Sequence, residues 1–296
     1  MNKTLFYALL VIIASSSYGI LSTIVKLAMQ DGFTSSEAIT SQYLFGFVFV
    51  VIIFLLFDRK LPKTSVKGFL SIVFAGLFTG TTGIVYGQSL NYLPASLAVV
   101  MLFQFTWIGM LIDCVLRRRL PSRAEIISLL FLFAGTILAA GIVDVDLSSI
   151  PMTGWVLGLF SALSFAIFIQ INSRPVEGVT TIGRTLIVST TALLLISFIL
   201  SPEIIWNGQI SNGLWKFGII LGIFGIVLPI LLLSLAVPKV GGGLTSILSA
   251  MELPVAIIVS VIFLPETLTS LQIVGILLVL IGMTFPSYFS IMKTKK

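Results

Sequence analysis

Long apolar runs, each closed by a short polar or charged stretch, follow one another along the whole chain. Ten stand out: Leu5–Ala28, Ala38–Phe57, Phe69–Leu90, Ala95–Leu116, Glu125–Val143, Met152–Ile171, Leu186–Leu200, Leu214–Val237, Leu244–Leu264 and Leu268–Ile291. A membrane-spanning helix needs roughly 20 predominantly apolar residues, and nearly every run reaches that length. The seventh is short unless it begins near Thr181. None has the strict alternation of an outer-membrane strand. The longest polar interval, around Ser201–Gly213, is too short for a soluble domain. The pattern predicts an all-α membrane protein with ten transmembrane helices.

Composition supports the same reading. Hydrophobic residues make up 57% of the 296-residue chain and charged ones 9%, with mean hydropathy +1.16. Soluble domains carry about 25% charged residues, so only a bilayer can solvate this much apolar surface. Of the 17 basic residues, all but Lys26 and Lys216 fall on one side of a ten-helix topology, whereas Asp31, Glu37, Asp144, Asp146, Glu203 and Glu266 fall on the other. The positive-inside rule then predicts cytoplasmic N- and C-termini in a cell (inner, cytoplasmic) membrane. The net charge of +6 is accounted for by topology and does not call for nucleic acid. Met1–Lys3, an apolar run and Ala14-Ser15-Ser16-Ser17 resemble a signal peptide. Because the apolar pattern continues to Met29, it is expected to stay as the first spanning helix.

Some chemistry is excluded at once. There is no histidine, so His-based triads, HExxH zinc sites and His-ligated haem are ruled out. Cys114 is the sole cysteine, so no intramolecular disulfide forms. The expectation is no cofactor, no metal and a monomer in the bilayer.

An internal repeat divides the chain into residues 1–146 and 147–296. Gly76, Gly80, Gly83 and Gly87 in the third segment are answered by Gly218, Gly222, Gly225 and Pro229 in the eighth, at the same spacing and an offset of 142. Ser17-Tyr18-Gly19 is answered by Ser164-Phe165-Ala166 at 147, and Gln104-Phe105 by Glu252-Leu253 at 148. Five helices per half is an odd number, so the second half enters the membrane from the opposite side. Inverted repeats supply two near-equivalent conformations around a site between the halves, which suits a carrier.

Tyr18-Gly19 with Lys26, Leu93-Pro94-Ala95-Ser96-Leu97-Ala98, Met251-Glu252-Leu253-Pro254, Leu264-Pro265-Glu266-Thr267-Leu268, and Gly275 with Gly282 together resemble the drug/metabolite transporter superfamily, in particular its ten-helix EamA-type transporters. The likeness runs from about Tyr7 to Met283. The fourth segment departs from the ninth in having Thr106 where the ninth has Pro254, and Arg118-Arg119-Leu120-Pro121 replaces the acidic turn at Glu266. The resemblance implies a central cavity lined by helices one, three, four, six, eight and nine, and transport of small metabolites, often export of amino acids.

Ionisable residues inside a membrane are costly, about 2.5–3.5 kcal/mol at mid-helix on insertion scales. Glu252, two residues before Pro254, reads as a protonatable or cation-binding carboxylate, or else as a carboxyl bonded to neighbouring helices. Gln104 matches it in the other repeat, and Trp107 shares a face with Gln104, either stacking on a ligand or facing lipid. Lys26 could attract an anionic group or snorkel outward. Tyr18, Tyr86 and Ser15 offer hydroxyls to a cavity. Asp113 is placed for an ion pair with Arg117 one turn on. The GxxxG spacings read as helix-packing surfaces and not as phosphate loops.

The function predicted is a secondary transporter exporting a small metabolite, an amino acid or related compound, by alternating access and with possible proton coupling through Glu252. A multidrug efflux carrier is the alternative. A membrane enzyme on lipid-linked substrates would need polar groups clustered at one interface, and a sensor would need a sizeable output domain; neither is evident.

Overall fold

In the computed structural model the described residues are 3–60, 62–93, 95–139, 150–200, 202–264 and 268–293. The expected division at 146/147, Asp144, Asp146, Pro94 and Pro265-Glu266-Thr267 lie outside them. The described chain is all helix, with no strand. The first helix runs over Lys3–Gly19 and Leu21–Gln30, the second over Ser35–Phe57, the third over Val66–Ser89, and the fourth over Ala95–Phe103 and Phe105–Leu116. The fifth is Arg123–Ala139, the sixth Met152–Asn172, the seventh Thr181–Ile199, the eighth Ile210–Val240, the ninth Gly242–Phe263 and the tenth Ser270–Lys293. Eight are long and apolar enough to cross a membrane; the fifth is described over 17 residues, and the apolar part of the tenth, Ser270–Thr284, is shorter.

Helix starts are set by local chemistry. The seventh begins at Thr181, not Leu186, because the Thr180 hydroxyl accepts from the Gly183 N–H (3.0 Å) and satisfies one of the orphan donors of the first turn. Its repeat mate, the second helix, starts with a full capping box between Thr34 and Glu37 (2.8 and 3.1 Å). The fifth and tenth helices match as well. Ser122 and Glu125 cap each other reciprocally (2.7 and 3.3 Å), as do Thr269 and Gln272 (2.9 and 3.3 Å).

The halves interlock in a two-fold pattern. Ser164 on the sixth helix donates to the Phe78 carbonyl on the third (2.8 Å), and Ser17 on the first donates to the Phe224 carbonyl on the eighth. Gly76 and Gly80 press the third helix onto the seventh. A Cβ on Gly76 would lie 2.7 Å from the Val188 carbonyl oxygen, and one on Gly80 3.2 Å from the Ala192 Cα. Gly218 and Gly222 press the eighth onto the second in the same way, against Phe45 and the Gly46 nitrogen (2.5 and 2.7 Å). Fifth and tenth helices cross through Gly135 against Gly275, while Ser128 donates to the Gly282 carbonyl (2.6 Å). Positions 135 and 128 correspond to 282 and 275, so each contact is the image of the other. Small residues are what allow backbones this close without a hydrophobic driving force between helices.

Four helices are broken, and three breaks have identifiable causes. Pro254 lacks an N–H and crowds the carbonyl four residues back, and a 3₁₀ turn, Ser249–Met251, precedes Glu252. Pro229 acts likewise on the eighth helix beside the π turn Ile223–Val227. The fourth has no proline at Thr106. There the Thr106 hydroxyl donates to the Phe103 carbonyl (3.0 Å) and the Gln104 amide to the Val100 carbonyl (2.9 Å), so side chains compete with the backbone and the helix breaks at Gln104. The first breaks at Ile20, just beyond Gly19.

Loops sort to two ends of the bundle. The Lys63 N–H meets the Gly178 carbonyl (3.0 Å) and the Thr180 hydroxyl meets Asp58, which brings the basic segment bearing Arg59, Lys60 and Lys63 against the turn at Gly178. At the far end Phe33 lies edge-on to Phe217 (6.0 Å).

Candidate functional site

A cavity of about 90 Å³ lies between the halves. The first helix contributes Tyr18, Gly19 and Ser22, the third Thr79, Thr82 and Tyr86, the fourth Val99 and Leu102, the sixth Phe165, the eighth Gly225 and the ninth Glu252. These are the six helices implied by the family resemblance. The second helix joins them through Gln42 and Tyr43.

The helix breaks create this geometry. Gly19 sits directly against the turn carrying Glu252: a Cβ there would be 2.5 Å from the Glu252 carbonyl oxygen and 2.9 Å from the Ala256 nitrogen. Only glycine permits that approach, and it brings Tyr18 and Glu252 to the same chamber. Tyr18 also packs edge-on against Phe165 (5.6 Å), which in turn meets Phe105 (4.8 Å) and Phe168 (5.9 Å). These rings fill the space on one side of the cavity. Tyr43 donates to the Thr79 carbonyl (2.9 Å), and Thr82 to Phe78 (2.8 Å), so both hydroxyls are committed to backbone. The Tyr18 hydroxyl is buried without a hydrogen-bond partner among the described residues. The Glu252 carboxylate likewise makes no ion pair or hydrogen bond with them. Among the described residues, no lysine or arginine lines the cavity.

Of the residues singled out from the sequence, Glu252, Tyr18 and Tyr86 converge on this cavity, and the others do not. Gln104 and Trp107 are joined, with the indole N–H donating to the Gln104 amide oxygen (2.7 Å). They line a separate space of about 420 Å³ between the fourth and fifth helices. Leu130 and Phe133 in its wall are more than half exposed, so this groove faces outward toward lipid. Ser15 is buried and donates to the Val11 carbonyl of its own helix (2.9 Å). Lys26 lies one turn beyond Ser22 and does not line the cavity. Gln42 and Tyr43 went unnoticed in the sequence, where an adjacent amide and phenol, following Thr40 and Ser41 near the start of an apolar run, were the available signal.

The cavity sits toward the end bearing the turns 31–34 and 90–93, since Val25, Ile39 and Leu90 lie within two turns of them. The basic end is closed. Asp113 accepts from Arg117 (2.9 Å), the ion pair anticipated from spacing, and from Arg119 (2.8 Å), which also binds Glu125 (2.7 Å). The hydrogen bond to Glu125, and secondarily that to Asp113, hold the Arg119 guanidinium above even its usual range. This cluster meets the Gly241-Gly242-Gly243 turn between the eighth and ninth helices. A Cβ on Gly243 would lie 2.9 Å from an Asp113 carboxylate oxygen, and Gly241 adopts φ +90° beside Arg117. Gln170 on the sixth helix donates to the Gly109 carbonyl on the fourth (2.6 Å) and completes the closure.

Comparison with known proteins agrees with this architecture. A solved crystal structure, described only as that of a protein, superposes with a TM-score of 0.73 over 95% of this chain and 96% of its own, at 13% identity. That likeness establishes a shared fold. No curated protein matches the chain. The sequence matches the EamA-like transporter family twice, over residues 5–141 and again over residues 152–288. The chain, a multi-pass membrane protein of two repeats, belongs to the EamA-like transporter family.

Proposed function

We propose that the protein is a monomeric secondary carrier of the cytoplasmic membrane that exports a small metabolite, an amino acid or related compound, by alternating access. In this reading the chain crosses the bilayer ten times with both termini inside, as two inverted halves divided at 146/147. The basic, closed end is then cytoplasmic, and the cavity belongs to an outward-directed conformation. The observation that carries the proposal is the Glu252 carboxylate, at a helix break, in a cavity between two interlocked halves and without a partner among the described residues. A buried carboxylate is costly unless a proton or a cation neutralises it. Coupling follows if proton and substrate share that carboxylate in turn.

The test begins with extracellular metabolites of cells overproducing and lacking the protein, followed by flux of the responding compound into proteoliposomes. Export raises that compound outside overproducing cells, and a pH gradient accelerates the flux. Glu252→Gln is expected to remove the gradient's effect and lower flux at least ~10-fold, equivalent to ~1.4 kcal/mol. If no compound responds, export is wrong; if Glu252→Gln leaves the gradient's effect intact, coupling through this residue is wrong.

A further inference from the structure

We propose that the substrate carried in this cavity is a small organic monocation, an amine or quaternary ammonium without a free carboxylate; this rests on the transport reading above and narrows its small metabolite to related amines in place of amino acids themselves. The lining holds one carboxylate, three phenols and one phenyl ring, and no lysine or arginine among the described residues. A zwitterionic amino acid would bring a carboxylate into the same chamber as Glu252, with no cationic side chain lining it to offset the repulsion. A monocation meets the opposite situation. Its charge is balanced by Glu252, and the ring faces of Tyr18, Tyr43, Tyr86 and Phe165 supply the negative quadrupole that favours ammonium groups once water is removed.

Two further features point the same way. The Tyr18 hydroxyl, buried and without a partner among the described residues, is available to accept an N–H from a primary or secondary ammonium. Tyr43 and Thr82 have already spent their protons on backbone carbonyls, so they present oxygen lone pairs, not donors, to the chamber. Gln42, Ser22, Tyr18 and Tyr86 also bring donors to the lining, so the choice of a cation over an anion is made by the Glu252 charge and the ring faces. Size adds a limit: about 90 Å³ admits a head group of few heavy atoms.

The rival is a zwitterion whose carboxylate reaches out to Lys26, one turn beyond Ser22. Binding to the purified full-length protein in lipid nanodiscs distinguishes the two, with ethylammonium, tetramethylammonium, alaninamide, alanine and acetate as probes. The cations and alaninamide are expected to bind and to compete with one another, while alanine and acetate do not. Glu252→Gln, checked for an intact melting transition, should weaken every cation by at least ~10-fold. Tyr18→Phe should weaken ethylammonium and alaninamide by ~3- to 10-fold, the worth of one hydrogen bond, and leave tetramethylammonium unchanged. Alanine binding that is lost in Lys26→Met overturns the proposal, as does binding of none of the cations at millimolar concentration. Neither result touches the transport reading, which is decided by the metabolite and flux measurements.

Discussion

At Gly19 a single missing side chain determines how the first helix meets the ninth. The atoms that a Cβ would strike, the Glu252 carbonyl oxygen and the Ala256 nitrogen, are backbone held by their own helix and cannot swing aside. Gly19→Ala should therefore force the two helices apart, at ~1–3 kcal/mol for overpacking. A clear drop in the thermal melting temperature of the purified protein is expected, along with weakened substrate binding because Tyr18 and Glu252 separate. A melting temperature equal to that of the unaltered protein would contradict the contact. The site residues also mark the limit of one-dimensional reading. Glu252, Tyr18 and Tyr86 could be singled out because polar groups are expensive in lipid, whichever way they point. Gln104 and Trp107 met the same criterion, and their i, i+3 contact is real (2.7 Å), yet the shared face looks toward the fifth helix and outward.

The breaks in the fourth and ninth helices occupy corresponding positions but are made by different chemistry. In the ninth, a proline removes a donor; in the fourth, Thr106 and Gln104 take up the carbonyls of Phe103 and Val100. A proline inside a helix costs ~3 kcal/mol relative to alanine. If the bend is a working part of the carrier, Pro254→Ala should raise the melting temperature by part of that amount and lower turnover, since a straightened ninth helix carries Glu252 away from the cavity. Turnover unaffected by Pro254→Ala would show that the bend is incidental. Element boundaries were legible where apolar runs met capping residues, although the seventh helix began five residues earlier than its apolar core suggested. Its first turn, Thr181-Ile182-Gly183-Arg184, has a single apolar side chain and is specified by the Thr180 cap, a hydrogen bond and not a hydrophobic signal.

For the molecule as a whole, the conformation is decided by which end the halves close. Asp113, Arg117, Arg119 and Glu125 join against the Gly241–Gly243 turn and tie the fourth helix to the start of the fifth and to the eighth-to-ninth connection. Cys114, the sole cysteine and buried beside this cluster, is a built-in reporter of opening. Arg119→Ala should speed maleimide labelling of Cys114 by roughly an order of magnitude, the effect of ~1.4 kcal/mol in the opening equilibrium. Labelling as slow as in the unaltered protein would mean that other contacts hold this end shut. The amino-acid sequence by itself determined the class of fold, because a chain with 9% charged residues has no other solvent than lipid. It also determined the repeat, because close helix crossings demand small residues at fixed spacings, and Gly76 and Gly80 recur as Gly218 and Gly222. Which faces turn inward was decided only by the tertiary structure. In lipid, the inward and outward faces of a helix are both apolar, so the face that meets a cavity is set by contacts between distant segments, such as Gly19 on Glu252 and Ser164 on Phe78. Those contacts brought Gln42 and Tyr43 into the site and turned Gln104 and Trp107 away from it.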